Sequence, residues 1–202
     1  MLKINKEKEP EFLFEYKRKK SPKSWKDYDS EIKDGLKSFI LEKEQGKYCA
    51  YCERTIYEIA ESHIEHVEPR DKFPKLFQEY NNIIVSCNNR HTCGMRKGNE
   101  YDESFIHPVL ENPGEYLDFN LANGEIIPKY EQQESLNYNR AKYTIEILNL
   151  NDYKLKEARK ALIDSLDVYR EYYDDFNEYL QFFLDDKHSF PNLIKYFMQI
   201  EI

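Results

Sequence analysis

Apolar residues recur at helical spacing in DYDSEIKDGLKSFILEKEQGKY, where Ile32, Leu36, Phe39 and Ile40 share one face and Gly46 supplies a stop. The period then changes. Ile83, Ile84 and Val85 form a short β-branched run in EYNNIIVSC and predict a strand. In YLDFNLANGEIIPKY, Leu117, Phe119 and Leu121 alternate ahead of Asn123-Gly124, a pair that predicts a β-hairpin when it lies between apolar runs. The remainder reads as helix. Leu162, Leu166, Tyr169, Tyr173, Phe176, Leu180 and Phe183 step by four and three. That spacing predicts one continuous stripe on a single helix, packed on the body of the protein or, alternatively, forming a seam between subunits. His188-Ser189-Phe190-Pro191 breaks this helix, and NLIKYFMQIEI forms a short terminal segment. The expected class is α+β and predominantly helical.

Composition adds limits to this outline. A chain of 202 residues suits one domain, and with six glycines and no low-complexity linker no internal boundary stands out. The organisation expected is a basic, helical segment over 1–45, a cysteine-rich core over 46–110, a hairpin connection over 111–135 and a helical region over 136–202, together one compact unit. No apolar run approaches the roughly 18 residues of a membrane span. The N-terminus lacks an apolar signal core, so a cytoplasmic protein is expected. The formal charge of −8 disfavours tight, unaided binding to nucleic acid. The charge is uneven, however. Residues 1–26 hold nine Lys/Arg against four Glu, whereas EYYDDFNEYLQFFLDDK carries six acids and one Lys. Such runs are ordinarily solvated faces; the acidic one is also a candidate docking surface for a basic partner.

All four cysteines fall in two pairs, Cys49-x2-Cys52 and Cys87-x5-Cys93. A two-residue gap lets one tight turn offer both sulfurs to one ion. In a reducing compartment such pairs are more often metal ligands than disulfides, so a tetrahedral structural Zn2+ is expected, with two disulfides or free thiols as alternatives.

Between the pairs lies ESHIEHVEPRDKF, with two of the chain's five histidines. Phosphodiester hydrolysis needs a base for water and a cation for the charge that develops on phosphate. Glu65 and His66 offer both functions from adjacent positions. On an extended strand they point to opposite faces, so the strand must twist or end there, and Pro69 fits such an ending. A neutral imidazole needs a partner to hold its tautomer, and Asn81 or Asn82 supplies a candidate carbonyl. A lone Glu-His is ordinarily a surface or packed histidine; the flanking cysteines change the odds.

Together, CAYC, HIEHVEP, YNNIIVSCNN and HTCGMRKGN resemble the HNH, or ββα-metal, endonuclease family: an acid and a His at the end of one strand, an Asn opening the next, and a helix after it. More narrowly, GKYCAYCER, HIEHVEPRDKFP, NNIIVSC, CGMRKGN and AKYTIEILNLN resemble the HNH nuclease subunits of Septu anti-phage systems, PtuB, a family that includes the HNH effectors of some retron defence systems. The resemblance runs from about residue 30 to 170. It implies a zinc-braced ββα-metal core flanked by an N-terminal helix and long C-terminal helices. It makes Glu65 a metal ligand, His66 the general base and Asn82 the residue that orients it, with Cys49, Cys52, Cys87 and Cys93 around zinc. Many zinc-bearing members carry Asn or His after the last cysteine, where this chain has Gly94. Asn99 stands as the substitute second ligand of a catalytic Mg2+ or similar divalent cation, followed by His91. His63, on the same strand face as Glu65, joins or supports that shell. Arg96 and Lys97 are candidates to meet phosphate, with solvated surface as the plain alternative. The resemblance also implies an ABC/SMC-like ATPase partner of the PtuA type and a nucleic-acid substrate, DNA first, with RNA or tRNA cleavage by the same site as the alternative. A non-catalytic zinc-braced protein-binding module is the competing reading from another class.

Overall fold

Residues 1–130, 135–172 and 175–199 are described by the structure, a computed structural model. At its centre β1 (Ser62–His66) pairs antiparallel with β2 (Ile83–Cys87), and the short α3 (Cys93–Lys97) follows. The register sets Ser62 opposite Cys87, Glu65 opposite Ile84 and His66 opposite Ile83. Because strand side chains alternate, His63 and Glu65 leave one face of β1 while Ile64 and His66 leave the other. Ile83, Ile84 and Val85 are all fully buried, which is why β2 reads as an unbroken apolar run.

The outer edge of β2 is closed by a side chain. Gln45 donates through Nε2 to the Val85 carbonyl (2.9 Å) and accepts from Val85 N–H at Oε1 (2.8 Å). Ala50 N–H adds a bond to the same carbonyl (3.2 Å). These bonds dock the turn that carries Cys49 and Cys52 against the strand that carries Cys87.

Of the two N-terminal helices, α2 (Ser30–Lys43) covers the sheet, with Leu36, Ile40 and Leu41 buried, and α1 (Glu11–Lys20) packs on α2. Part of the N-terminal basic cluster is spent internally. Lys6 donates to Glu44 Oε2 (2.5 Å) and the Ile83 carbonyl (2.9 Å), and Lys17 donates to the Gln78 carbonyl (2.6 Å).

The predicted hairpin forms, with β3 (Leu117–Asn120) antiparallel to β4 (Glu125–Pro128). Gly124, in its turn at φ 72°, has no room for a side chain: an added Cβ would lie 2.4 Å from the Lys156 carbonyl oxygen. The buried Arg159 donates to the Gly124 carbonyl (2.6 Å) and pins the hairpin to the helices behind it.

Those helices are α4 (Leu136–Leu148), α5 (Tyr153–Tyr172), α6 (Phe176–Asp185) and α7 (Pro191–Gln199). The single continuous stripe expected from Leu162 to Phe183 is instead divided between α5 and α6; Tyr173 lies outside the described residues. The cause is local. Asp175 accepts from Glu178 N–H (3.0 Å) and caps a new helix, which brings the ring of Tyr179 to 4.6 Å from that of Tyr169. Leu166 and Leu180 are fully buried, so the stripe packs inward. The class is α+β and mostly helical, and among the described residues no helix is long and apolar enough to cross a membrane.

Candidate metal centre and histidine site

The first cysteine pair sits on a tight turn flanked by the Tyr48–Thr55 bridge, where Cys49 N–H donates to the Arg54 carbonyl (2.9 Å). Cys87 ends β2 and Cys93 opens α3. The four ligand sulfurs lie within 4.8 Å of one another, with Cys49 to Cys93 at 3.8 Å and Cys52 to Cys87 at 3.9 Å. Zinc–sulfur bonds of about 2.3 Å in a tetrahedron require sulfurs about 3.8 Å apart, so the set fits a metal ion such as zinc. Burial pushes the Cys49 thiol up, but hydrogen bonds with Cys52, Cys87 and Cys93 outweigh it and hold Cys49 well below its usual range. The Cys87 N–H also points at this sulfur (3.3 Å).

Glu65 leaves β1 toward this centre and is buried. Its Oε1 pairs with Lys97 Nζ (2.8 Å) and accepts from Tyr51 Oη (3.3 Å), while Oε2 lies 3.5 Å from His63 Nε2. His63 is held from behind, Nδ1 to Asn88 Oδ1 (3.2 Å). Burial pushes the Glu65 carboxyl up, but His63 and Lys97 overcome it and keep it ionised below the usual carboxylate range. Gly94 explains the departure from the common motif. A Cβ at this position would stand 2.7 Å from Glu65 Oε2 and 2.8 Å from His63 Nε2. The residue is glycine because its neighbours already fill the space.

His66 occupies the other face. Its Nε2 lies 2.9 Å from the Phe77 carbonyl, and since a carbonyl only accepts, Nε2 carries the proton. Burial is the main cause that lowers its pKa to about 4, so the ring is neutral near pH 7. Nδ1 is left with the lone pair, and nothing among the described residues is hydrogen-bonded to it. The Trp25 ring meets it edge-on at 4.8 Å. Asn82, expected to orient His66, makes its side-chain hydrogen bonds elsewhere. Asn82 accepts from Glu68 N–H (2.8 Å) and donates to the carbonyls of Glu68 (3.0 Å) and Leu76 (3.3 Å). It therefore ties together the loop whose next residue, Phe77, holds the imidazole.

The other candidates disperse. Lys97, expected to meet phosphate, is almost fully buried at 1% exposure and pairs with Glu65 instead. Arg96 is exposed and open to a ligand. Asn99 bonds to Asp71, and exposed His91 offers its carbonyl to Asn149 Nδ2 (2.9 Å); neither is brought to Glu65. Among the His, Cys, Asp and Glu side chains of the described residues, only the four cysteines form a group of three or more close enough to share an ion. A hard divalent cation takes several oxygen ligands. Glu65 offers one carboxylate, already paired with an ammonium, so the arrangement does not fit a resident Mg2+.

Sequence reasoning missed Trp25, Tyr51 and the Phe77 carbonyl. A carbonyl has no letter in the sequence, and Trp25, the chain's one tryptophan, lies far from the motif.

No family model matches the chain. One curated relative, the Septu protein PtuB of Bacillus thuringiensis, is 27% identical over 121 residues, covering 57% of this chain. The match spans 41% of that relative's own length, well under half of it. The chain thus bears a distant similarity to a Septu protein.

Proposed function

We propose that the chain is a nuclease of the HNH type, hydrolysing phosphodiester bonds of nucleic acid, DNA first, as the effector of an anti-phage defence complex. The observation that carries this reading is the state of His66: a neutral imidazole at the end of β1, its Nε2 proton fixed on a backbone carbonyl and its Nδ1 lone pair uncommitted. A general base needs that protonation state and a locked tautomer. Nδ1 accepts the proton of a water that attacks phosphorus, the bond from phosphorus to the 3′ oxygen breaks, and the departing oxygen takes its proton from solvent. Arg70, exposed and with its charge acting on His66, supplies positive potential toward the phosphate. Cleavage leaves 5′-phosphate and 3′-hydroxyl ends.

The similarity to a Septu protein supports the defence role. The partner in this reading is an ABC/SMC-like ATPase of the PtuA type. The acidic α6, which leaves Phe182 61% exposed, is the surface we assign to that partner.

The test is cleavage of phage DNA, plasmid and total tRNA by the partner-bound protein. His66→Ala should lower the rate by about 10²–10⁴-fold. Wild-type rates from that variant would refute the assignment. EDTA, with Mg2+ added back, decides whether a divalent cation takes part beyond the cysteine centre.

A further inference from the structure

Trp25 occupies an unusual position for the only tryptophan of a chain. It opens a short 3-10 turn, Trp25–Asp27, braced where Asp27 Oδ2 accepts from the N–H groups of Lys23 and Ser24 (both 2.8 Å). Tyr28 stacks on the indole at 4.7 Å, and the His66 edge lies at 4.8 Å. Tyr28 is buried and Phe77 meets it edge-on, so the local core is already closed beneath Trp25. Trp25 itself stays half-buried. Two cations face its ring, Lys33 Nζ at 5.6 Å and Arg70 at 6.0 Å. The indole lines a cleft of about 290 Å³ together with Lys33, Lys37, His63 and Ile64. Asp34, the one carboxylate of that lining, is engaged by Lys37 (3.0 Å). An acidic protein has thus gathered an aromatic face and two cations, Lys33 and Arg70, that pair with no carboxylate among the described residues, beside both histidines of β1.

We propose that Trp25 is a stacking platform for an unstacked base of a single-stranded polynucleotide, with Lys33 and Arg70 holding the flanking phosphates. This deepens the nuclease reading and rests on it for the identity of the bound polymer. An aromatic ring flanked by cations is the chemistry that holds single strands, because every base offers a π-face and every link a phosphate. The bases of an intact duplex are stacked on one another and present only edges, so the platform selects single strands, flaps or frayed ends.

The sole tryptophan provides a probe that needs no catalysis. The full chain, in Mg2+-free buffer at low salt, is titrated with short oligo(dT), oligo(rU) and a duplex of equal length while indole emission is followed. Single strands should quench the emission at concentrations about tenfold below the duplex. Replacing Lys33 and Arg70 together by Ala should raise the half-quenching concentration about tenfold, with a shallower salt dependence. With a labelled oligo(dT) followed by anisotropy, Trp25→Ala should weaken binding about tenfold and Trp25→Phe by less, the latter guarding against misfolding of the former. A preference between oligo(dT) and oligo(rU) names the polymer. Emission unchanged at saturating single strand, equal quenching by duplex, or an unaltered Lys33/Arg70 variant would each overturn the platform. The two readings fail separately. Cleavage abolished by His66→Ala without quenching removes the platform alone, whereas quenching without cleavage of any substrate by the partner-bound protein removes the nuclease reading alone.

Discussion

The cysteine cluster and the Glu65–His66 pair grow from the same two strands, yet one is complete and the other divided. Four sulfurs from the Cys49 turn, β2 and α3 converge on one point. Two adjacent residues of β1 diverge, Glu65 toward Lys97 and His66 toward Trp25 and Phe77. The difference teaches what spacing can specify. Ligands on separate elements are brought together by the docking of those elements, whereas neighbours on one strand are parted by its pleat unless the strand ends between them. Here β1 runs through His66.

The largest effect is expected on the complete side. Stripping the metal, or replacing Cys49 by Ser, removes the tie between three elements. Structural zinc contributes about 10 kcal/mol or more of apparent binding free energy in small modules. Thermal melts by circular dichroism should therefore lose their cooperative transition, or shift down steeply, and zinc should restore the metal-stripped wild type. A melt unchanged by chelation would mean that the cluster is four inert thiols.

On the divided side, breaking the Glu65–Lys97 pair should do the next most damage. Lys97→Met keeps the chain length but strands a buried carboxylate beside Tyr51 and His63, at a cost of about 3–5 kcal/mol. Adding Glu65→Gln should recover most of it, because the cost lies in the uncompensated charge. Urea unfolding measures both. A Lys97→Met loss below about 1 kcal/mol would mean that solvent or an ion reaches Glu65 freely.

These contrasts mark what was legible in the sequence. The cysteine spacing announced the convergence of four sulfurs, and the β-branched run at Ile83–Val85 and the Asn123-Gly124 turn announced β2 and the hairpin. The division of the C-terminal stripe was not legible, because Asp175 capping a new helix competes with an apolar period that runs unbroken past it. In the sequence Lys97 reads as a phosphate contact, since nothing in CGMRKGN says which turn of α3 faces Glu65. The partner of His66 was sought among asparagines, whereas a backbone carbonyl filled the role and Asn82 acts one step removed through the loop.

Acid loads the histidine side selectively. His66 and His107 both have pKa values lowered to about 4 by burial, with His107 Nδ1 accepting from Val109 N–H (3.2 Å). Between the unfolded value near 6.5 and the folded value near 4, the unfolded chain binds more protons, so stability falls as pH drops through that window. From pH 7 to 5 each ring should cost about 2 kcal/mol. Replacing either His by Gln should remove its share of the slope of unfolding free energy against pH. A slope unaffected by His66→Gln would mean that this ring is not held neutral, and the tautomer argument would go with it.

The smallest effect falls where the two regions meet. Gly94 follows Cys93 of the sulfur cluster and lies against Glu65 and His63, whereas Gly98 ends the same helix at φ 55° with open space around it. The two glycines exist for different reasons, crowding in the first and backbone conformation in the second. Gly98→Ala should cost about 1 kcal/mol through strain alone and leave the neighbours in place. Gly94→Ala pushes a methyl group into two polar atoms that cannot both retreat, since His63 is tethered to Asn88 and Glu65 to Lys97. Overpacking of this kind costs about 1–3 kcal/mol, and relief by rotating Glu65 outward would also break its pair with Lys97. Urea unfolding of the two variants, alone and combined with Lys97→Met, separates the cases. If crowding acts through the ion pair, Gly94→Ala should cost clearly less when Lys97 is already gone, while the Gly98→Ala cost stays the same. Equal costs for Gly94→Ala in both backgrounds would mean that the helix absorbs the methyl group by shifting, and that the sulfur centre and the carboxylate are neighbours without being coupled.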